Sequence, residues 1–220
     1  MTVVIFILVL GISYVIGSIP FGLLLVRILK GKDIREIQSG RTGGTNAMRA
    51  AGFWAGFATA LLDILKGASG VWLADLIFPG NTWLKIFAPL MVIIGHNYSI
   101  FLLERRDGKI RLGGGAGGAP CVGGSIGLWA PSILVIFPLG FLILFGIGYA
   151  SVATMSVALV SSVTFLVLAI FYEFPWQFVL YGLLAEILLI WALRPNIKRL
   201  LNGTERLVGW RAKRSQVNQH

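Results

Sequence analysis

A succession of long apolar runs, each ended by a turn or by basic residues, limits this chain more than any other feature. The first runs from Val3 to Leu29 and ends among Arg27, Lys30 and Lys32. The full set falls at about 3–29, 53–78, 84–103, 114–130, 132–148, 152–172 and 176–193, with the fourth glycine-rich and only weakly apolar. A helix of about 20 apolar residues crosses a hydrocarbon layer of ~30 Å, and inside that layer every backbone polar group needs an internal partner. Of the 220 residues, 56% are hydrophobic and 13% charged, more apolar surface than a water-soluble fold hides. The chain therefore reads as all-α, a polytopic membrane protein. No polar stretch is long enough to fold separately, so residues 1–220 read as one domain. Met1-Thr2 precedes the first run without a basic segment, and no A-x-A pattern follows, so that run reads as a retained span. Gly17-Ser18-Ile19-Pro20 predicts a kink within it.

Charge orients the spans. Lys30, Lys32, Arg35, Arg41 and Arg49 lie in one segment, and Arg105, Arg106, Lys109 and Arg111 in the charged loop 104–111. The tail 194–220 holds Arg194, Lys198, Arg199, Arg206, Arg211, Lys213 and Arg214. The opposite turns hold little beyond Lys85 and Glu173. Basic residues collect on the cytoplasmic side, which places these three segments inside and the N-terminus outside. A cytoplasmic tail then requires an odd number of spans. Residues 113–147 divide near Trp129-Ala130-Pro131, giving seven transmembrane helices and a cytoplasmic C-terminus. The formal net charge of +10 points to anionic headgroups and not to nucleic acid.

Few groups can do chemistry. The segment from Ser39 to Arg49 joins Gly40, Gly43 and Gly44 to Ser39, Thr45, Asn46, Arg41 and Arg49. Glycines let backbone N–H groups approach an anion, and the guanidinium adds a planar charged fork. It reads as a phosphate seat at the membrane surface or, more plainly, as a flexible basic loop. Residues 113–120 open a span from the same side; the N-terminus of a helix there offers free N–H groups, or else the glycines serve close packing. Asp63 and Lys66, three apart on one helix face, read first as a structural ion pair. His96 beside Asn97 reads as a hydrogen-bonded structural group or as a base, and Glu186 as a packing hydrogen bond or a protonated carboxyl. With His96, His220 and Cys121 alone, no His/Cys metal set is available, no intrachain disulfide can form, and no cofactor is implied. Ile197, Leu200 and Leu201 predict a short interfacial helix at the start of the tail, stopped by Asn202-Gly203.

Taken in order, these pieces resemble the bacterial acyl-phosphate:glycerol-3-phosphate acyltransferases, the PlsY family. The resemblance rests on Gly17-Ser18-Ile19-Pro20-Phe21-Gly22, Ser39-Gly40 through Thr45-Asn46 to Arg49, Leu62-Asp63, Lys66-Gly67, Gly95-His96-Asn97, Tyr149 with Ser151, and Asn196-Ile197 through Arg199, Gly203 and Glu205. It implies a multi-pass enzyme of the bacterial inner membrane, with its active site on the cytoplasmic face. The implied reaction moves a fatty acyl group from acyl phosphate to glycerol 3-phosphate, making lysophosphatidic acid for phospholipid synthesis without metal or cofactor. By position it implies Arg49, Ser151 and Asn196 as catalytic. Substrate binding would fall to Ser39, Gly40, Gly43, Gly44, Thr45, Asn46, Gly114, Gly115, Gly117, Arg199 and Glu205.

The chain departs from the family pattern at several positions. Ala116 stands where the family has lysine, Pro120 where it has threonine, Leu193 where it has histidine, and Gly148 where it has arginine. Arg41, where the family commonly has asparagine, is a candidate to restore a charge, as are Lys109 and Arg111. The alternative reading is a divergent relative that binds anionic lipid or phosphate without the chemistry, or with another substrate.

Overall fold

The computed structural model describes residues 2–106, 108–209 and 211–212. Lys213, Arg214 and His220 of the basic tail lie outside them. The helices are α1 (Thr2–Ser18), α2 (Phe21–Lys30), α3 (Gly44–Ala51), α4 (Phe53–Ile77), α5 (Thr82–Asn97), α6 (Gly118–Leu128), α7 (Ile133–Ile147), α8 (Ala150–Phe171) and α9 (Gln177–Leu201). A hairpin of β1 (Leu103–Arg106) and β2 (Lys109–Leu112) follows α5, so the chain is mostly but not wholly helical. Among the described residues, five helical segments are long and apolar enough to cross a membrane: Val3–Lys30, Thr82–Leu102, Ala130–Ile147, Ala150–Phe171 and Gln177–Leu201. Side chains such as Leu134 (75% exposed) and Ile170 (64%) face outward, as a lipid-bathed surface requires.

The predicted first span is two helices, because Pro20 cannot continue the hydrogen-bond ladder of α1. Two carbonyls at the break accept side-chain hydrogen bonds from other helices and loops. Ser99 Oγ donates to Ser18 O at 2.5 Å, and Lys66 Nζ to Ile19 O at 2.9 Å. Lys66 also pairs with Asp63 Oδ1 at 2.9 Å, so the ion pair within α4 holds the kink in place. Where α1 crosses α5, Gly17 and Gly95 permit contact of backbones; a Cβ on Gly17 would enter the Val92 peptide, and one on Gly95 the Tyr14 carbonyl.

The main core joins α5, α6, α8 and α9 through Ile86, Leu90, Ile93, Cys121, Phe165, Tyr181 and Leu189. Tyr181, fully buried, donates its hydroxyl to Cys121 O at 2.8 Å and so ties α9 to α6. Glu186 Oε2 is buried without a hydrogen-bond partner among the described residues, so no packing hydrogen bond forms at that atom.

Three further boundaries differ from expectation. The α-helix of the third span stops at Asn97, and the charged loop is an antiparallel hairpin with Leu103 opposite Leu112 and Glu104 opposite Arg111. The fourth begins as an extended glycine segment, and α6 starts only at Gly118. The predicted interfacial helix of the tail is the continuation of α9. Pro195 inside α9 leaves Trp191 O without its ladder donor, and Arg194 Nε fills that place at 2.8 Å. Beyond Gly203 the chain folds back, with Leu207 bridging to Tyr149 and Val208 N–H donating to Gly148 O at 2.8 Å.

Candidate active site

Two glycine segments and the end of α9 surround a cavity of about 200 Å³. The first segment is folded by Asn46. Its Nδ2 reaches the carbonyls of Ile34, Ile37 and Arg41 at 2.9–3.1 Å, pulling the loop over the start of α3. Gly40 turns within that loop with φ of +68°, a conformation that favours glycine. Thr42 N–H then donates to Gly114 O at 3.2 Å, docking the first segment on the second. Gly115 N–H donates to His96 O at 2.8 Å, and a Cβ on Gly115 would collide with His96 Nε2. Gly40, Gly114 and Gly115 therefore build the walls and do not line the cavity.

The other sequence-derived candidates all line it. Ser39, Gly43, Gly44, Thr45, Asn46 and Arg49 come from the first segment, Gly117 from the second, Ser151 from α8, Asn196 and Arg199 from α9, and Glu205 from the tail. The helices present their N-termini here: α3 through Gly43 and Gly44, α6 through Gly117 and Gly118, α8 through Ala150 and Ser151. None of the three has a side-chain cap. Each leaves free N–H groups and the positive end of a helix dipole at one small space, a natural seat for anions.

Side-chain charge has the same sign. Four guanidiniums, Arg41, Arg49, Arg199 and Arg206, line the cavity against two carboxylates, Asp63 and Glu205. Glu205 is fully engaged. Its Oε2 accepts from Arg199 Nε at 2.9 Å, and its Oε1 from Asn196 Nδ2 at 2.9 Å and Ser151 Oγ at 3.3 Å. One carboxylate thus orients three candidate residues from two helices. Arg49 has no carboxylate partner among the described residues. Burial, with the nearby Arg206 charge, pulls its guanidinium below the ordinary arginine value, yet arginine stays charged.

Asp63, His96 and Arg206 also line the cavity, and none was counted as a site residue. The His96 Nδ1 to Asp63 Oδ1 separation is 3.6 Å, too long for a hydrogen bond. Arg206 directly follows Glu205, but nothing in its surroundings in the chain distinguishes it from the other basic residues of the tail.

Below the polar cavity lies an apolar groove of about 230 Å³. Ile136, Phe137, Phe141 and Leu144 of α7 and Val157 of α8 line it, and it shares Thr45, Gly118, Ala119, Ala150 and Thr154 with the cavity above. A molecule with a phosphate head and a hydrocarbon tail fits this pairing.

The glycerol-3-phosphate acyltransferase family model matches residues 7–203. The chain belongs to the glycerol-3-phosphate acyltransferase family. It is 36% identical over 209 residues to the glycerol-3-phosphate acyltransferase of Gloeobacter violaceus, covering 92% of this chain and 96% of the relative. It is 36% identical over 206 residues to that of Rubrobacter xylanophilus, covering 94% and 96%. The crystal structure of PlsY (YgiH), an integral membrane glycerol 3-phosphate acyltransferase, in its glycerol 3-phosphate form, superposes with a TM-score of 0.78 at 28% identity. That match covers 93% of this chain and 96% of the other. The lysophosphatidic acid form gives 0.72. The chain is thus an acyltransferase and an integral membrane protein.

Within this acyltransferase the departures from the family pattern have structural counterparts. Ala116 and Leu193 both line the cavity, and Arg41 bonds to the carbonyls of the residues before them, Gly115 O and Ala192 O. Gly148 caps α7 with φ of +84°. A Cβ there would press on Arg211, whose Nη1 donates to Gly146 O and Ile147 O at 3.1 and 2.7 Å. An arginine thus still stands at the C-terminus of α7, delivered by the tail, where a cation meets the negative end of the helix dipole.

Proposed function

We propose that this acyltransferase takes a fatty acyl group from acyl phosphate and passes it to the 1-hydroxyl of glycerol 3-phosphate. The hydroxyl oxygen bonds to the acyl carbon, and the bond from that carbon to the phosphate oxygen breaks. Inorganic phosphate leaves with the hydroxyl proton, and lysophosphatidic acid remains. The observation that carries the reading is one cavity where three uncapped helix N-termini and the unpaired Arg49 surround a space open to an apolar groove. Such a site favours two phosphates and one acyl chain. Negative charge that gathers on the leaving phosphate as the bond breaks is stabilised by donors already in place.

Arg49 and the free N–H groups around Gly43, Gly44, Thr45 and Gly117 hold phosphate oxygens, with Ser39 adding a hydroxyl. Ser151 and Asn196, set by Glu205, face the reacting groups, and Arg199 keeps Glu205 in place. Catalysis rests on positioning and electrostatics, without an acyl-enzyme. In the same reading the chain is one domain with seven spans. The N-terminus is outside, the tail and active site are at the cytoplasmic face, and the membrane is the bacterial inner membrane.

The test uses the purified protein in lipid with palmitoyl phosphate and glycerol 3-phosphate, following phosphate and lysophosphatidic acid together. Equal release of both, lost in Arg49→Ala, supports the reading. Phosphate alone points to hydrolysis or another acceptor, and no reaction beside an active relative points to a binding protein that has lost the chemistry.

A further inference from the structure

Arg41 is a half-buried cation with no anion of its own among the described residues. Its Nη1 donates to Gly115 O at 2.8 Å, and its Nη2 to Ala192 O at 2.5 Å and Asn196 Oδ1 at 3.3 Å. All three acceptors are neutral. Among the described residues no carboxylate lies within ion-pair distance, and Glu205 in the same cavity is occupied by Arg199, Asn196 and Ser151. A guanidinium carries five N–H donors, and these contacts use at most three. A charge withdrawn from water is costly unless an opposite charge meets it. The site holds a positive charge, spare donors and an adjoining space, and an anion would complete it.

The position of the guanidinium adds a second argument. Gly115 and Ala192, which it grips, each precede a departure from the family pattern, Ala116 and Leu193. Both departures line the cavity with alanine or leucine where the pattern has a cationic or a polar group. Arg41 comes from a third place, the first glycine segment. We infer that Arg41 is a phosphate-binding residue of this enzyme, and that it supplies from the Ser39–Arg49 loop the positive charge missing at position 116. The inference rests on the acyltransferase reading for its substrate, a phosphate monoester or acyl phosphate dianion. With Arg49 it provides two unpaired guanidiniums for two phosphates.

The competing role is a staple that joins the loop to α9 through two carbonyls. Arg41→Gln keeps an amide for those carbonyls but removes the charge; Arg41→Lys keeps the charge but removes the fork. A phosphate seat predicts that lysine is the better substitute, and a staple predicts glutamine. The first measurement is kcat/KM with each substrate varied in turn, beside thermal unfolding in detergent. Arg41→Gln should lower kcat/KM about 10- to 100-fold, the range for a lost charge-assisted hydrogen bond, without moving Tm. Adding Ala116→Lys to it should restore most of that loss. A KM effect confined to glycerol 3-phosphate assigns the seat to the acceptor phosphate, and one confined to palmitoyl phosphate assigns it to the donor.

Activity of Arg41→Gln within about threefold of the parent, or better than that of Arg41→Lys, overturns the inference. So does a loss accompanied by a fall in Tm that lysine at 116 does not rescue. If the parent protein shows no turnover, the acyltransferase reading has failed, and the seat is judged by titrating glycerol 3-phosphate and inorganic phosphate calorimetrically. Binding that is equal in the parent and in Arg41→Gln then sinks it, and binding lost in the variant upholds it. If Arg41→Gln does not fold, Arg41→Lys decides. A folded Arg41→Lys that still binds phosphate supports the seat, and one that does not bind removes it.

Discussion

Gly17 and Gly43 look alike in the sequence, each a small residue beside a serine or another glycine, yet the fold uses them in opposite ways. At Gly17 the missing side chain lets α1 touch the Val92 peptide of α5, so the space of a Cβ is already filled with backbone. At Gly43, the residue before α3, a Cβ would meet nothing within 4 Å; the space is empty and belongs to the cavity. Glycine serves close packing in the first region and ligand access in the second. Gly11, on the outer face of α1, also meets nothing, but it borders no cavity and serves neither purpose. The contrast separates stability from turnover, and substitutions can test it.

The largest effect is expected in the access region. Arg49→Ala should cost ~10²–10³ in kcat/KM, the scale for losing one donor to developing charge, with Tm unchanged; a loss below tenfold would remove Arg49 from the phosphate chemistry. Next comes the packing region, where Gly17→Ala forces backbones apart and should destabilise by roughly 1–3 kcal/mol, as overpacking does. Thermal unfolding in detergent reads it, and an unmoved Tm would mean that the α1–α5 crossing yields. Gly43→Ala sharpens the contrast most. Its φ of −82° suits any residue, so Tm should hold while a methyl in the phosphate space raises KM roughly tenfold through misplacement. A fall in Tm with KM intact would reverse its assignment. Gly11→Ala, in the interior of α1 with open space for a Cβ, should raise stability by about 0.5–1 kcal/mol through helix propensity and leave turnover alone.

Cations divide in the same manner. Lys66 is consumed by Asp63 and by the carbonyl at the α1–α2 break, and Arg199 by Glu205. Arg41 and Arg49 make no ion pair among the described residues and face the cavity. The carboxylate partners are local, Asp63 three residues before Lys66 and Glu205 six after Arg199, whereas the neutral acceptors of Arg41 at Gly115 and Ala192 come from distant segments.

Much of the molecule was nevertheless legible beforehand. Apolar runs of membrane length forced helices, since helices satisfy their own backbone in hydrocarbon. Pro20 announced the break in the first run. The family resemblance singled out Ser39, Gly43, Gly44, Thr45, Asn46, Arg49, Gly117, Ser151, Asn196, Arg199 and Glu205, which all line one cavity, and Gly40, Gly114 and Gly115, which do not. Less legible were the ends of elements. The tail helix continues α9 because Arg194 supplies the donor that Pro195 lacks, a local substitution that hydropathy does not register. The charged loop pairs as a hairpin, Leu103 opposite Leu112 and Arg106 opposite Lys109, a weak signal in the sequence beside the long apolar runs.

What the sequence determined by itself was the solvent of this protein, the helical character that the solvent imposes, and the family of residues at its site. The first two follow from local composition, and the last from the resemblance that the motifs carry. What only the tertiary structure decided was assignment within that set: which glycines are filled and which are open, and that Arg41 bonds to the residues before Ala116 and Leu193. These properties belong to pairs of residues far apart in the chain, 74 positions for Arg41 with Gly115 and 151 for Arg41 with Ala192. A single side chain carries no record of the partner it meets, because that partner is fixed only when the helices pack.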